Sequence, residues 1–163
     1  MNPLTLDTTD LQLLRQLQRD TSLSNQALAE LVHVSPPTCL RRVKRLKDTG
    51  LIEREMAVLS VDTLASVTGH GLCAVTEITL DRQDQSALEA FEKKVALDDA
   101  VQQCYRVSPG PDFVLVIHAH DMPDYLAVTQ RLFTLDANVR NVKTFFSIKR
   151  SKFGAKLPLP EKI

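Results

Sequence analysis

The sequence predicts an α+β chain: an N-terminal helix-turn-helix (winged-helix-like) domain followed by a C-terminal ferredoxin-like βαββαβ domain. Three observations carry this. Residues 35–50, SPPTCLRRVKRLKDTG, combine helix punctuation, an apolar face and concentrated positive charge. Ahead of them, leucines recur at helical spacing in two short segments. From residue 72 onward, apolar runs of strand length alternate with amphipathic helix patterns in the order β-α-β-β-α-β.

The first half is read from its caps. Asp7 caps a helix in which Leu11, Leu14 and Leu17 share a face, with Asp10 at the third position, where a carboxylate returns a capping bond. That helix should end near Asp20. Ser24 caps a second, short helix, NQALAELV, that buries Leu28, Leu31 and Val32. His33, Val34 and Ser35 then turn the chain into the basic helix. Ser35 is its N-cap, Pro36 and Pro37 fall in the first turn where a missing N–H leaves no bond unmade, and Gly50 closes it.

At ~100° per residue, Cys39, Val43 and Leu46 share one face of that helix with Leu40 beside them, while Thr38, Arg41 and Arg45 point the other way. Five cations (Arg41, Arg42, Lys44, Arg45, Lys47) against Asp48 give the stretch a net +4 in a chain that is formally neutral. Two helices joined by a short turn, the second one basic, form the arrangement that places the second helix in the major groove of DNA. Arg41 and Arg45 would reach base edges and Thr38 a base or a thymine methyl, with Arg42 and Lys44 on phosphates. Ser35 and Pro37 complete the candidate DNA-binding set. A solvated basic face on a generic three-helix bundle is the competing interpretation.

With 163 residues and 44% apolar content, the chain fits one ordinary domain or two small ones. Neutrality and a pI near 6.9 do not suit a nonspecific nucleic-acid coat, so DNA binding must come from one face of one domain. Cys39, Cys73 and Cys104 are widely spaced, which points to reduced, buried thiols rather than a zinc site or a disulfide scaffold. There is no apolar run of membrane-spanning length and no basic-then-apolar leader, so a cytoplasmic protein is expected.

Residues 52–61 alternate raggedly and read as an exit strand or linker. The glycines and small polar residues of VDTLASVTGHG then mark a hinge. The expected division is 1–61 for the helix-turn-helix domain with its exit strand, 62–69 for the hinge, 70–149 for the ferredoxin-like domain and 150–163 for a basic tail. Within 70–149, strands are expected at 72–80, 101–107, 112–119 and 139–148. Helices are expected at 85–96, through Leu88, Phe91 and Val95, and at 125–135, with Leu126, Thr129, Leu132 and Phe133 inward. Both helices cover one face of the sheet, so apolar residues on the other face call for a second copy of the chain, an obligate dimer. The tail carries Lys149, Arg150, Lys152, Lys156 and Lys162 against Glu161 and reads as a solvated terminus.

Four stretches carry a family resemblance: LSNQALAELVHVSPPTCLRRVKRLKDTGLI at 23–52, VTEITL at 75–80, QCYRVSPGPDFVLVIHAHDMPDYL at 103–126 and VRNVKTFFSIK at 139–149. In them the chain resembles the Lrp/AsnC, or feast/famine, transcription regulators of bacteria and archaea. The most specific piece is S-P-x-x-C-L-x-R-V-x-R-L-x-x-x-G-x-I, which is most similar to the leucine-responsive branch. The resemblance implies a dimer that sets two recognition helices on a pseudo-palindromic operator, further assembly into octamers that bend or wrap DNA, and a RAM/ACT-like C-terminal domain. It also implies a small effector, usually an amino acid, held between subunits at the loop joining strands two and three.

Here that loop runs from Val107 to Phe113 through Ser108, Pro109, Gly110, Pro111 and Asp112; it keeps the Ser and the final Asp of the family's V-S-G-D-x-D-Y pattern, and Pro109-Gly110 replaces the Gly-Asp pair. Gly110 frees backbone N–H groups for an α-carboxylate, and Asp112 would pair with an ammonium group. Met122, Phe145, Phe146 and Ser147 match family positions near the effector pocket and offer an apolar surface, so leucine or methionine is the first choice. No other cofactor is expected.

Three other interpretations are open. His118 and His120, two apart on a strand with Asp121 adjacent and His70 elsewhere, would seed a metal site, although no third ligand has fixed spacing. Dimeric α+β barrels on this topology include enzymes, yet the chain shows no nucleophile-base pair or phosphate loop, and an enzyme would leave the basic helix unexplained. A pure amino-acid sensor without DNA binding is the third.

Overall fold

The computed structural model describes residues 5–69 and 71–161. The chain forms two compact units: one runs up to Val58 and regains the chain from Lys152 onward, the other spans Leu59–Ser151.

The first unit contains three helices: α1 (Thr8–Leu17), α2 (Asn25–Leu31) and α3 (Pro36–Asp48). The reciprocal Asp7/Asp10 capping box forms at the start of α1. Ser24 caps α2 by accepting the Ala27 N–H. The turn into α3 is closed by His33 at φ 57, with the His33 N–H donating to the Glu30 carbonyl and the Val34 N–H to the Ala29 carbonyl. This is a Schellman closure with histidine where glycine is usual. Ser35 stands at the N-cap of α3 but makes no capping bond to the backbone. Gly50 ends α3 at φ 75.

Leu13, Leu14, Leu28, Ala29, Val32, Cys39 and Leu46 form the core of this unit. Two leucines expected at its faces point outward: Leu31 is 51% and Leu40 60% exposed. Leu28 and Val32, four apart, define the buried face of α2, and Leu31 is rotated ~100° from Val32. Leu40 is displaced from Cys39 in the same way.

Residues 152–161 are exposed apart from Leu159, as a solvated terminus would be, but they are tethered to the helical unit. The Leu157 N–H donates to the Gln18 side-chain oxygen (2.6 Å) and Gln18 donates back to the Leu157 carbonyl (3.3 Å). The Arg15 guanidinium reaches the Pro160 carbonyl, and Leu159 packs against the helical core. Lys162 lies outside the described residues.

No strand forms over 52–61. The chain there is irregular until Ser60, which caps α4 (Val61–Thr68) by accepting the Thr63 N–H. Most of the stretch read as a hinge is therefore helical, ending at Gly69 with φ 86.

The second unit carries β1 (Leu72–Leu80), α5 (Gln85–Ala96), β2 (Val101–Arg106), β3 (Phe113–Ala119), α6 (Met122–Thr129) and β4 (Val139–Phe146). The sheet order is β2-β3-β1-β4, all antiparallel, as the ferredoxin-like arrangement requires. Alternate residues Ala74, Thr76, Ile78 and Leu80 of β1 and Phe113, Leu115, Ile117 and Ala119 of β3 are buried. They meet Phe91, Val95, Tyr125, Val128, Leu132 and Phe133.

The second helix differs from its sequence reading. It begins at Met122 behind the Asp121 cap and passes into a π-helical turn, Gln130–Thr134. Tyr125 and Val128 are buried before that turn and Leu132 and Phe133 within it, while Leu126 is 58% exposed. The 3.6-residue period used to place Leu126 does not hold across a π-turn. On the opposite sheet face lie Val75 (β1), Val114 and Val116 (β3), Tyr105 (β2) and Phe145 (β4), with Tyr105 and Phe145 about half exposed.

Candidate nucleic-acid interface and ligand site

α3 carries five cations, and the structure sorts them. Arg42 Nη1 lies 2.7 Å from Asp7 Oδ2 and 2.9 Å from Asp10 Oδ1. Arg45 Nη2 lies 2.5 Å from Asp10 Oδ2. Lys47 pairs with Glu55 at 3.0 Å. Arg41 and Lys44 are exposed and make no ion pair among the described residues. The outward arrangement read for Arg45 is thus not the observed one: its guanidinium turns back onto α1, as does that of Arg42.

The free ridge of α3 runs through Pro37, Arg41 and Lys44, spaced by four and three residues. Thr38 stands half-buried at its start, where its hydroxyl shares a 2.8 Å hydrogen bond with that of Ser35. Asn25 of α2 donates to the Pro36 carbonyl (2.9 Å) and fixes the entry to the helix.

Asp7 and Asp10 are the site residues that inspection of the basic stretch alone misses. Asp10 is 1% exposed, and its carboxylate also accepts the Asp7 N–H at 3.0 Å. The Asp10 N–H and the Arg42 guanidinium hold the Asp7 carboxyl below the usual carboxylate range, and Asp7 in turn raises the pKa of Arg42. The available signal was the pair of aspartates three apart, here taken only as a cap.

In the second unit the loop between β2 and β3, the candidate effector loop, is anchored to β1. The Asp112 N–H donates to the Ile78 carbonyl (2.8 Å), and its carboxylate accepts the Leu80 N–H (2.7 Å) and the Gln83 amide (3.2 Å). Ser108, Pro109 and Gly110 form the exposed tip, with Gly110 at φ 125. Pro111 is half-buried.

The other candidate ligand residues sit at the far end of the sheet. Phe145 pairs with Val75 and Phe146 with Ala74, while the Ser147 N–H donates to the Cys73 carbonyl (2.8 Å). Met122 follows close behind β3, whose last residue, Ala119, pairs with Leu72. Ala74 and Ile78 are four residues apart, roughly 13 Å along a strand. A single copy therefore does not bring Ser108–Asp112 together with Met122, Phe145, Phe146 and Ser147. At the aromatic end, Phe146 packs edge-on against Tyr125 (5.0 Å), and the Tyr125 hydroxyl shares a 2.6 Å hydrogen bond with that of Thr144.

His118 is exposed on the free sheet face, its pKa lowered by partial desolvation and by Arg150. His120 lies beyond the strand, 3.4 Å from Asp121. His70 lies outside the described residues, and among the described residues no three His, Cys, Asp or Glu side chains are placed to hold a metal. No described helix is long and apolar enough to cross a membrane.

Comparison with known proteins matches residues 6–47 to the AsnC-type helix-turn-helix domain and residues 73–157 to the Lrp/AsnC ligand binding domain. A helix-turn-helix transcriptional regulator of Haemophilus influenzae is 36% identical over 148 residues, covering 91% of this chain and 86% of the relative. The leucine-responsive regulatory protein of Rhizobium meliloti is 34% identical over 147 residues, covering 90% and 92%. Among solved structures, a Neisseria meningitidis transcriptional regulator in complex with L-methionine superposes with a TM-score of 0.76 at 31% identity, covering 94% of this chain and 97% of that one. An AsnC family regulator of Agrobacterium tumefaciens superposes at 0.80 with 26% identity, covering 94% and 97%. Together with the sorted cations of α3 and the β2-β3-β1-β4 sheet, these matches show that the chain belongs to the Lrp/AsnC family of DNA-binding transcription regulators, not enzymes, with a helix-turn-helix domain and a ligand-binding domain.

Proposed function

We propose that this regulator reads a specific operator through the free ridge of α3 and governs amino-acid metabolism in response to a small amino acid, leucine or methionine. Arg41 and Thr38 meet base edges, Lys44 meets a phosphate, and Ser35 and Pro37 line the entry of the helix into the major groove. Arg42 and Arg45 act from behind, holding α3 through Asp7 and Asp10. The observation that carries this is the sorting of charge: among the described residues three cations of α3 have carboxylate partners, and Arg41 and Lys44 do not.

Two copies of the ligand-binding domain pair through the free sheet face, where Val75, Val114, Val116, Tyr105 and Phe145 await cover. The effector sits where copies meet, which reconciles the Ser108–Asp112 loop with Met122, Phe145, Phe146 and Ser147 at the other end of β1. The L-methionine complex of the Neisseria relative and the leucine-responsive relatives favour an aliphatic amino acid. Effector binding shifts dimers toward or away from octamers, which alters the spacing of the α3 helices along DNA. Such a shift requires different effector affinity in the two assemblies.

The test has two parts. Calorimetric titration with the twenty amino acids should show saturable binding of leucine or methionine that Phe145→Ala weakens. Binding to a duplex selected from a randomised pool should fall by about 1–3 kcal/mol in Arg41→Ala, with relaxed preference at one base pair. Lys44→Ala should weaken all sequences about equally. If Arg41→Ala changes nothing, the DNA-reading role fails and a pure sensor takes its place.

A further inference from the structure

We infer that Asp10 is a specificity-determining positioning residue: from beneath α3 it withholds two arginines from DNA phosphates and so fixes which side chains of the helix can read the operator. The inference rests on α3 being the DNA-reading helix.

Asp10 is a charged side chain at 1% exposure, and every acceptor position it uses is turned toward cations or amides of its own unit. Its Oδ1 takes Arg42 at 2.9 Å, and its Oδ2 takes Arg45 at 2.5 Å and the Asp7 N–H at 3.0 Å. Asp7 adds a second carboxylate at 2.7 Å from Arg42. Two guanidiniums and two carboxylates thus form a locally neutral cluster, although the helix that supplies the arginines is strongly basic.

The geometry is not that of a cluster arranged only for stability. Among the described residues, the Nε atoms of Arg42 and Arg45 are buried and have no protein hydrogen-bond partner. Unpaired buried donors weaken a fold, and apolar residues of similar volume would leave none. What the arrangement does supply is orientation. Arg42 and Arg45 are three residues apart, neighbours on one flank of α3, and anchoring both to a single buried atom group on α1 fixes the roll of α3 within its unit. That roll leaves Arg41 and Lys44 outward.

Each phosphate neutralised by a protein cation steepens the fall of log K with log salt by roughly 0.9. Phosphate contacts raise affinity for every sequence alike, whereas base contacts need α3 held at one roll, so anchoring Arg42 and Arg45 keeps sequence-independent affinity low while keeping Arg41 aligned to read a base. By this logic Asp10 trades bulk affinity for discrimination without touching DNA.

The experiment is a salt titration of full-length protein on two duplexes: one selected by the wild type from a randomised pool, and an unselected one of equal length. Asp10→Asn keeps shape and an acceptor oxygen but removes the charge. On the unselected duplex its slope should steepen by about 0.9 to 1.8, for one or two freed arginines. Its ratio of selected to unselected affinity should fall by about tenfold. Adding Arg42→Gln and Arg45→Gln to Asp10→Asn should return the slope to the wild-type value. An unchanged slope and ratio in folded Asp10→Asn overturns the inference, as does a steepening that persists without the two arginines.

Should Asp10→Asn fail to fold, Arg45→Gln with Asp10 intact carries the test, because an arginine withheld from phosphates contributes nothing to the slope. An unchanged slope supports the inference and one shallower by about 0.9 overturns it. Arg41→Ala in the same titration separates the two levels. If it leaves both duplexes unaffected, α3 is not the reading helix; if it lowers the selected affinity while Asp10→Asn leaves slope and ratio unchanged, only the role of Asp10 falls.

Discussion

The two units distribute their functional groups in opposite ways. In the helical unit the candidate contacts come from one continuous segment, Ser35 through Lys44, and the capped first turn of α1 holds that helix through Arg42 and Arg45. In the sheet unit the Ser108–Asp112 loop and the Phe145–Ser147 end are separated by the length of β1. A helix presents neighbours in sequence as neighbours on a surface, whereas an antiparallel sheet gathers residues from distant segments and leaves one face to be completed. Hence one copy assembles the candidate nucleic-acid contacts on one surface but leaves the candidate ligand residues apart.

If the units fold as separate bodies, their stabilities should be separable, and the largest effects come from the two cores. Phe113→Ala removes a fully buried ring 4.8 Å from that of Phe91 and should cost about 3–5 kcal/mol, lowering only the melting of the sheet unit. Leu46→Ala, at 0% exposure, should cost about 2–5 kcal/mol and lower only that of the helical unit. Scanning calorimetry that shows one transition, moved equally by both substitutions, would break the contrast.

A smaller effect tests where the chain's last segment belongs. Leu159→Ala should cost about 1–2 kcal/mol, since the side chain is only partly buried, and should act on the helical transition although β4 precedes it in the chain. A shift of the sheet transition instead would assign the tail to the wrong unit.

Acid should affect both units, through different groups. Asp98 is held below the usual carboxylate range by Arg131, whose two nitrogens lie 2.5 and 2.8 Å away. A depressed carboxylate contributes stability that is complete above its unfolded pKa, near 4, and is lost as pH falls through the folded value. Asp98→Asn should therefore flatten the acid dependence of the sheet transition and leave that of the helical unit, where Asp7 is depressed, unchanged. Chemical denaturation between pH 2 and 5 would measure this.

The smallest difference lies between two serines. Ser24 caps α2 with a hydrogen bond, so Ser24→Ala should cost about 1 kcal/mol, whereas Ser35 makes no such bond and Ser35→Ala should change stability by less than about 0.5 kcal/mol. Equal losses would show that Ser35 caps α3 in solution.

Much of this was legible because it is local. The Asp7/Asp10 capping box, the Ser24 and Ser35 cap positions, the ends of β1 and α5 and the loop before β3 each follow from residue types within a few positions of one another. The errors fall where a helical period was extended too far or a composition was over-read. Leu31 and Leu40 were one position off the buried face, Leu126 preceded a π-turn, and small polar residues at 61–68 formed a helix behind the Ser60 cap.

By itself the sequence determined the order of elements on either side of α4, the switch from helical to alternating periodicity and the presence of a basic helix, because these depend on propensities and spacing along the chain. Only the tertiary structure decided that Arg42 and Arg45 turn inward to Asp10, and that Leu159 joins a core more than a hundred residues away. It likewise decided that Asp112 fastens the loop between β2 and β3 to β1. Those are contacts between segments remote in sequence, and nothing in the local pattern distinguishes an arginine with a buried carboxylate within reach from one that faces water.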